Sequence, residues 1–226
     1  MWGAFSQIDW FPFWLSLQVA AIATVISLVL GLALAYLLAR YQFRGREMLD
    51  SIITLPIVLP PTVLGYYLLV LLGRNSGFGR AFEAIFGFPL VFTWQAAVVA
   101  ATIHSVPLLV KSARAALESV DRNLENAART LGASEGRIFF QITLPLARRS
   151  ISAATVFAFA RALGDFGVTI MIAGNIPGKT QTMAVAIYDT VQSGNMLPAN
   201  LMVLVISITA IVILYVTNRL QGERLP

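Results

Sequence analysis

Three stretches without a charged residue, Trp10–Ala39, Ser51–Gly73 and Ala84–Val110, limit what this chain can become. Each is long enough to cross a bilayer, since a spanning helix needs roughly 20 apolar residues for about 30 Å of hydrocarbon. Charged residues make up 12% of the 226, where a soluble domain carries about 25%. No room is left for a separate soluble domain. The sequence predicts an all-α, polytopic transmembrane bundle that forms a single domain over 1–226.

Five spans are expected, at Phe11–Ala39, Leu49–Leu72, Thr93–Val110, Ser150–Ala173 and Leu201–Val216. Nothing basic precedes the first run, which far exceeds the roughly 7–15 residues of a cleavable signal core, so Met1–Pro226 reads as the mature chain. The loop charges set the orientation. Arg40, Arg44 and Arg46 fall between spans one and two. Lys111, Arg114, Arg122, Arg129, Arg137, Arg148 and Arg149 fall between spans three and four, and Arg219 and Arg224 follow span five. The opposite side holds only Arg74, Arg80 and Lys179, and Arg161 lies inside a span. Twelve against three places the N-terminus outside and the C-terminus in the cytoplasm. Trp2, Trp10, Trp14 and Trp94 then sit near outer span ends, where interfacial anchors belong. The short apolar pieces Phe82–Phe92 and Met183–Val191 are read as interfacial or re-entrant segments at the outer side, or as ordinary loop packing.

Span two contains Pro56, Pro60 and Pro61. Proline removes a backbone donor and clashes one turn back. Carbonyls freed in this way are tolerable beside a water-filled cavity but not against lipid. The span is therefore a candidate pathway helix, with Thr62 as a neutral donor beside the prolines; a packing kink would look the same. Arg161 and Asp165 are the charges inside a predicted span. Four residues apart, they can share a helix face and pair. Such charges face a bundle interior or a water-filled cavity, so the pair is either a gate latch or anion contact, or a structural bridge. Thr169 and Asn175 are further neutral donors, although polar residues in spans often bond neighbouring backbone. His104, the one histidine, reads as a packed, hydrogen-bonded residue.

The segment between spans three and four is rich in charge and small residues. Asp121 is a helix N-cap, with Leu124, Ala127, Ala128 and Leu131 on one face. Gly132 is a stop. Ser134 caps a second short helix with Ile138, Phe139 and Ile142 as its apolar face, and Leu144-Pro145 turns the chain back to the membrane. This is a helix–turn–helix on the cytoplasmic face, suited to close approach by another protein; an amphipathic interfacial loop would share the pattern.

Several function classes are excluded. The chain has no cysteine, so it has no disulfide, thiol catalysis or thiolate metal site. One histidine makes neither a metal site nor a catalytic dyad, and no cofactor is implied. The net charge of +5 resides in loops between spans and is not a nucleic-acid footprint. No phosphate-cradling Gly-x-x-x-x-Gly-Lys-Ser/Thr loop occurs, so the chain should neither bind nor hydrolyse ATP. No internal repeat suggests a repeat-built secondary transporter.

The spacing Asn126-Ala127-Ala128, three residues, Gly132, nine residues, Ile142, one residue, Leu144-Pro145 resembles the EAA loop of binding-protein-dependent ABC importer permeases. That family usually has Glu where this chain has Asn126. The blocks Leu55-Pro56 through Leu69, Leu72-Gly73-Arg74, and Arg161 through Gly167 with Gly174-Asn175 through Thr180 resemble molybdate permeases most. Sulfate permeases are close relatives that tend to be longer. The resemblance implies a type I importer permease fold in the cytoplasmic (inner) membrane, with a coupling loop over about 118–146. It implies a cargo of molybdate, with tungstate beside it, and sulfate or thiosulfate as the alternative. Implied partners are an ATP-binding subunit, a periplasmic or extracellular oxyanion-binding protein, a second copy of the chain and membrane lipid. Glu125, Asn126, Ala127, Ala128, Arg129, Gly132, Ile142, Leu144 and Pro145 would then meet the ATP-binding subunit. Pro56, Pro60, Pro61, Thr62, Arg161, Asp165, Thr169 and Asn175 are the pathway and gate candidates.

Overall fold

The computed structural model describes residues 9–222, and every regular element among them is helical. Trp2 and Arg224 lie outside the described residues. The elements are α1 (Phe11–Arg40), α2 (Arg46–Val58), α3 (Pro61–Leu72), α4 (Gly77–Phe86), α5 (Trp94–Glu118), α6 (Arg122–Thr130), α7 (Glu135–Ile138), a π segment (Phe139–Thr143), α8 (Leu144–Leu163), α9 (Gly167–Ile172), α10 (Met183–Gln192) and α11 (Met196–Gly222).

Small residues bring the central helices together. Ala20 and Ala23 of α1, Ala97, Ala100 and Ala101 of α5 and Ala162 of α8 form one buried cluster, and Ala35, Ala113 and Ala158 of the same three helices belong to a second. Lipid tails are as apolar as leucine, so helices in a membrane associate by close packing and by hydrogen bonds. Both occur here. A Cβ on Gly31 would come within 2.5 Å of Leu109 Cδ2, so a larger residue there would have to displace the Leu109 side chain. Ser105 donates to the Ala158 carbonyl at 3.1 Å. Among the described residues, the triad α1–α5–α8 is the most extensively packed part of the fold.

Among the described residues, three helices are long and apolar enough to span alone: α1, α5 and Met196–Thr217 of α11. The predicted second span is instead two helices, α2 and α3, bent by 113°. The sequence Leu59-Pro60-Pro61 explains the break. A residue before proline is pushed away from the helical region, and Leu59 and Pro60 are both extended, at ψ 139° and 136°. Pro61 then opens α3, where its missing N–H costs nothing. The predicted fourth span is also divided. Its helix starts earlier, at Leu144, stops at Leu163, and resumes as the short α9.

The two breaks pack on each other. A Cβ on Gly167, the first residue of α9, would lie 2.5 Å from the Pro61 side chain. One on Gly65 would lie 2.6 Å from Met171. Two interrupted helices thus meet where each has lost its regular hydrogen bonds, a geometry tolerated at membrane depth only inside protein or beside water. Of the short apolar segments, Met183–Val191 forms α10, whereas of Phe82–Phe92 only Phe82–Phe86 is helical, as the end of α4. Met183 of α10 is buried against Trp10 and Phe13, and its N–H is taken by Ser16 at 2.7 Å. Of the tryptophans expected near outer span ends, Trp14 is exposed and Trp10 and Trp94 are half-buried.

Candidate functional site

The segment between α5 and α8 is built from local caps. Asp121 accepts the Asn123 N–H at 2.9 Å and starts α6. Gly132 follows the helix at φ +80°, the left-handed conformation that ends it cleanly. Ser134 caps α7 through the Arg137 N–H. Arg129 closes the turn, with Nε and Nη2 donating to the two Glu135 oxygens at 2.6 and 2.9 Å and Nη1 to Asn126 Oδ1 at 2.7 Å. Hydrogen bonding from Arg129 holds the Glu135 carboxyl below its ordinary range and raises the guanidinium in turn. The staple therefore persists below the usual glutamate pKa and is lost only as pH falls through the depressed value.

The predicted apolar face of α6 is turned outward. Leu131 is 88% exposed and Leu124 49%, Ala127 is exposed and Ala128 half-buried. The outward surface of α6 is thus apolar and small-residue, flanked by arginines. Glu125 points the other way. It is 2% exposed and lies on Arg40 and Thr143, so it contributes nothing to that surface. Asn126 is exposed but engaged by Arg129.

The chain does not turn at Leu144-Pro145. α7, the π segment and α8 run on without a gap. Pro145 has no N–H to give to the turn before it, and the wider π turn absorbs that loss. Ile138 and Thr143 are buried on the inner side of this rod, while Ile142 and Leu144 are half-buried and Pro145 is exposed. Arg40 and Thr143 were not recognisable from sequence, because the partner of Arg40 lies 85 residues away.

The second cluster sits at the break after α8. Asp165 is not on the helix of Arg161 but in the break itself. It is 3% exposed and receives four donors. His104 Nδ1 lies 2.6 Å and Arg161 Nη1 3.3 Å from Oδ1. The Thr169 hydroxyl and N–H donate to Oδ2 at 2.6 and 3.2 Å. The predicted pair is thus a hub that fixes the start of α9 to α5, and His104 is the packed, hydrogen-bonded residue expected. Thr169, spent on Asp165, has no hydroxyl proton left for an anion. Arg161 remains 38% exposed at its side chain, next to exposed Gly164. Pro60, Pro61 and Thr62 are exposed at the adjoining break, and Pro56 is half-buried within α2. Asn175 is not with them: it bonds Asp189 at 3.0 Å and Gln181 at 2.8 Å.

A long central helix pair, two interrupted helices and a helix–turn–helix at the basic end make up the fold of an ABC importer's membrane subunit. The chain superposes on a chain of the MetNI methionine ABC transporter, solved in inward-facing conformations, with a TM-score of 0.72 over 93% of each chain at 18% identity. Residues 27–224 match the binding-protein-dependent transport system inner membrane component family, and the chain belongs to that family. Among curated proteins it is 49% identical over 185 residues to the molybdenum transport system permease protein ModB of Escherichia coli K12, covering 82% of this chain and 81% of that one. It is 33% identical over 231 residues to the sulfate transport system permease protein CysT of Salmonella typhimurium, covering 96% and 83%.

Proposed function

We propose that this chain is the permease subunit of an ATP-driven importer that carries molybdate, with tungstate as a second cargo, across the cytoplasmic membrane. The observation that carries the cargo is the 49% identity with a molybdenum permease. Sulfate or thiosulfate import is the second reading, supported by the weaker but longer match at 33%. The chain has no ATP-binding loop of its own, so the energy enters from an ATP-binding subunit seated on the outward face of α6. An external oxyanion-binding protein delivers the cargo.

A second copy of the chain completes the pathway. Val58, Tyr66, Tyr67 and Val70 of the broken pair α2–α3 are exposed large apolar residues, and a twofold axis there would enclose two sets of breaks. Lipid covers α11, only 11% of whose apolar window is buried within the chain. Pro60, Pro61, Thr62 and Arg161 would border the enclosed path, and Asp165 holds Arg161 in place. Arg161 also offsets the charge of a passing dianion without closing around it.

Cells lacking this chain are expected to lose molybdenum-dependent enzyme activity at trace molybdate and to regain it with excess. A requirement for reduced sulfur instead would move the assignment to sulfate.

Twelve of sixteen basic residues on one side of the expected spans support an outside N-terminus. A reporter active only in the cytoplasm, fused after Gly222, is expected to be active. A silent fusion, with an exported reporter working at the same point, would reverse the orientation.

A further inference from the structure

Glu125 lies on a helix whose other faces are largely exposed, yet its side chain is 3% exposed and faces the bundle. Its Oε1 accepts Arg40 Nη2 at 2.5 Å and the Thr143 hydroxyl at 2.6 Å. The same Nη2 donates to the Leu117 carbonyl at 2.9 Å. Arg40 is the last residue of α1, Leu117 lies in the last turn of α5, and Thr143 is the last residue of the π segment that feeds α8. The carboxylate therefore ties α6 to the end of α1 and to the segment that feeds α8, and Arg40 carries the link on to the last turn of α5.

Stability does not account for this arrangement. A buried ion pair gains little over an apolar replacement, because desolvation offsets the attraction. Arg40 Nε and Nη1 are also buried without an acceptor among the described residues. The guanidinium is placed for its single Nη2 contacts at the expense of its other donors. The covalent links to α6 are residues 119–121 on one side and, on the other, a turn through Gly132 that Arg129 and Glu135 staple to α7. Besides Glu125, α6 reaches α1 through Arg122, whose Nη2 donates to the Ala39 carbonyl at a longer 3.4 Å.

We propose that Glu125 is the positioning residue through which movement of α6 is passed to α1, α5 and α8, with Arg40 and Thr143 as its anchors. This rests on α6 being the docking helix for the ATP-binding subunit. Docking and transmission then use opposite faces of one short helix. The carboxylate makes no contact with the partner.

The test uses the whole complex, permease with ATP-binding subunit, in vesicles supplied with molybdate-loaded binding protein. Molybdate uptake and ATP hydrolysis are measured in the same vesicles. Glu125→Ala and Thr143→Val are expected to keep the ATP-binding subunit bound and to lower the anion moved per ATP by about fivefold or more, the scale of one lost hydrogen bond. Glu125→Gln keeps an acceptor oxygen and is expected to restore most of that ratio. An unchanged ratio in both Glu125→Ala and Thr143→Val would overturn the proposal. So would release of the ATP-binding subunit by Thr143→Val, because the contact would then merely shape the docking face. Where Glu125→Ala does not assemble, Thr143→Val decides, since it leaves the ion pair in place. Failure of the docking reading shows separately, as a subunit that stays bound when Leu131 on the outer face is replaced.

Discussion

Leu131→Glu is expected to release the ATP-binding subunit from an otherwise intact membrane complex. Leu131 is 88% exposed at the end of α6 and makes no contact that holds the loop together. Burying a leucine against a partner contributes about 1.5–3 kcal/mol, which is roughly ten- to a hundredfold in affinity. A carboxylate in its place adds the cost of taking a charge out of water. Ala127→Trp, also on the exposed face, should act by bulk with the same result. Gly132→Trp is less informative, because φ +80° already strains any side chain there. The measurement is co-purification of the ATP-binding subunit, with permease yield from membranes as the control for folding. Full co-purification and normal stimulated hydrolysis in both Leu131→Glu and Ala127→Trp would remove α6 from the docking interface.

The helical class was legible because hydrocarbon leaves few alternatives, and uncharged runs as long as Trp10–Ala39 declare themselves. The loop was legible because its caps are local. Asp121, Gly132 and Ser134 each act within three residues of their own position. The breaks were harder to read. Pro56, Pro60 and Pro61 announced a disturbance, but not one of 113°, since the angle is set by what the second half packs against. The stop after Leu163 has only Gly164 and Gly167 as signals, and apolar flanks made the stretch read as one span. Long-range polar partners were the least visible. His104 and Asp165 are 61 residues apart, Arg40 and Glu125 are 85 apart, and nothing in either neighbourhood names the other. The i, i+4 spacing pointed to Arg161 as the partner of Asp165. That contact exists at 3.3 Å, but it is longer than those from His104 and Thr169.

That ranking shapes the second large effect. Asp165→Leu is expected to destabilise the detergent-purified protein severely, whereas Arg161→Met should not. Asp165 is the common acceptor for His104, Arg161 and both donors of Thr169. Without it, two buried side chains and a backbone N–H at the start of α9 lose their partner. Breaking a buried charged contact on one side costs about 3–5 kcal/mol. For a simple Arg161–Asp165 pair, the double replacement Arg161→Met with Asp165→Leu would restore much of the loss, because neither charge would be stranded. For the hub, it restores little, since His104 and Thr169 remain unsatisfied in low dielectric. Arg161→Met alone leaves Asp165 with three donors, two of them at 2.6 Å, and removes a side chain that is already 38% exposed. It should fold normally and lose transport, as the pathway role of Arg161 requires. Thermal stability and oxyanion uptake, measured together on the three variants, separate these cases. A double mutant as stable as wild type would reduce the hub to a pair, and a fully active Arg161→Met would take the arginine out of the path.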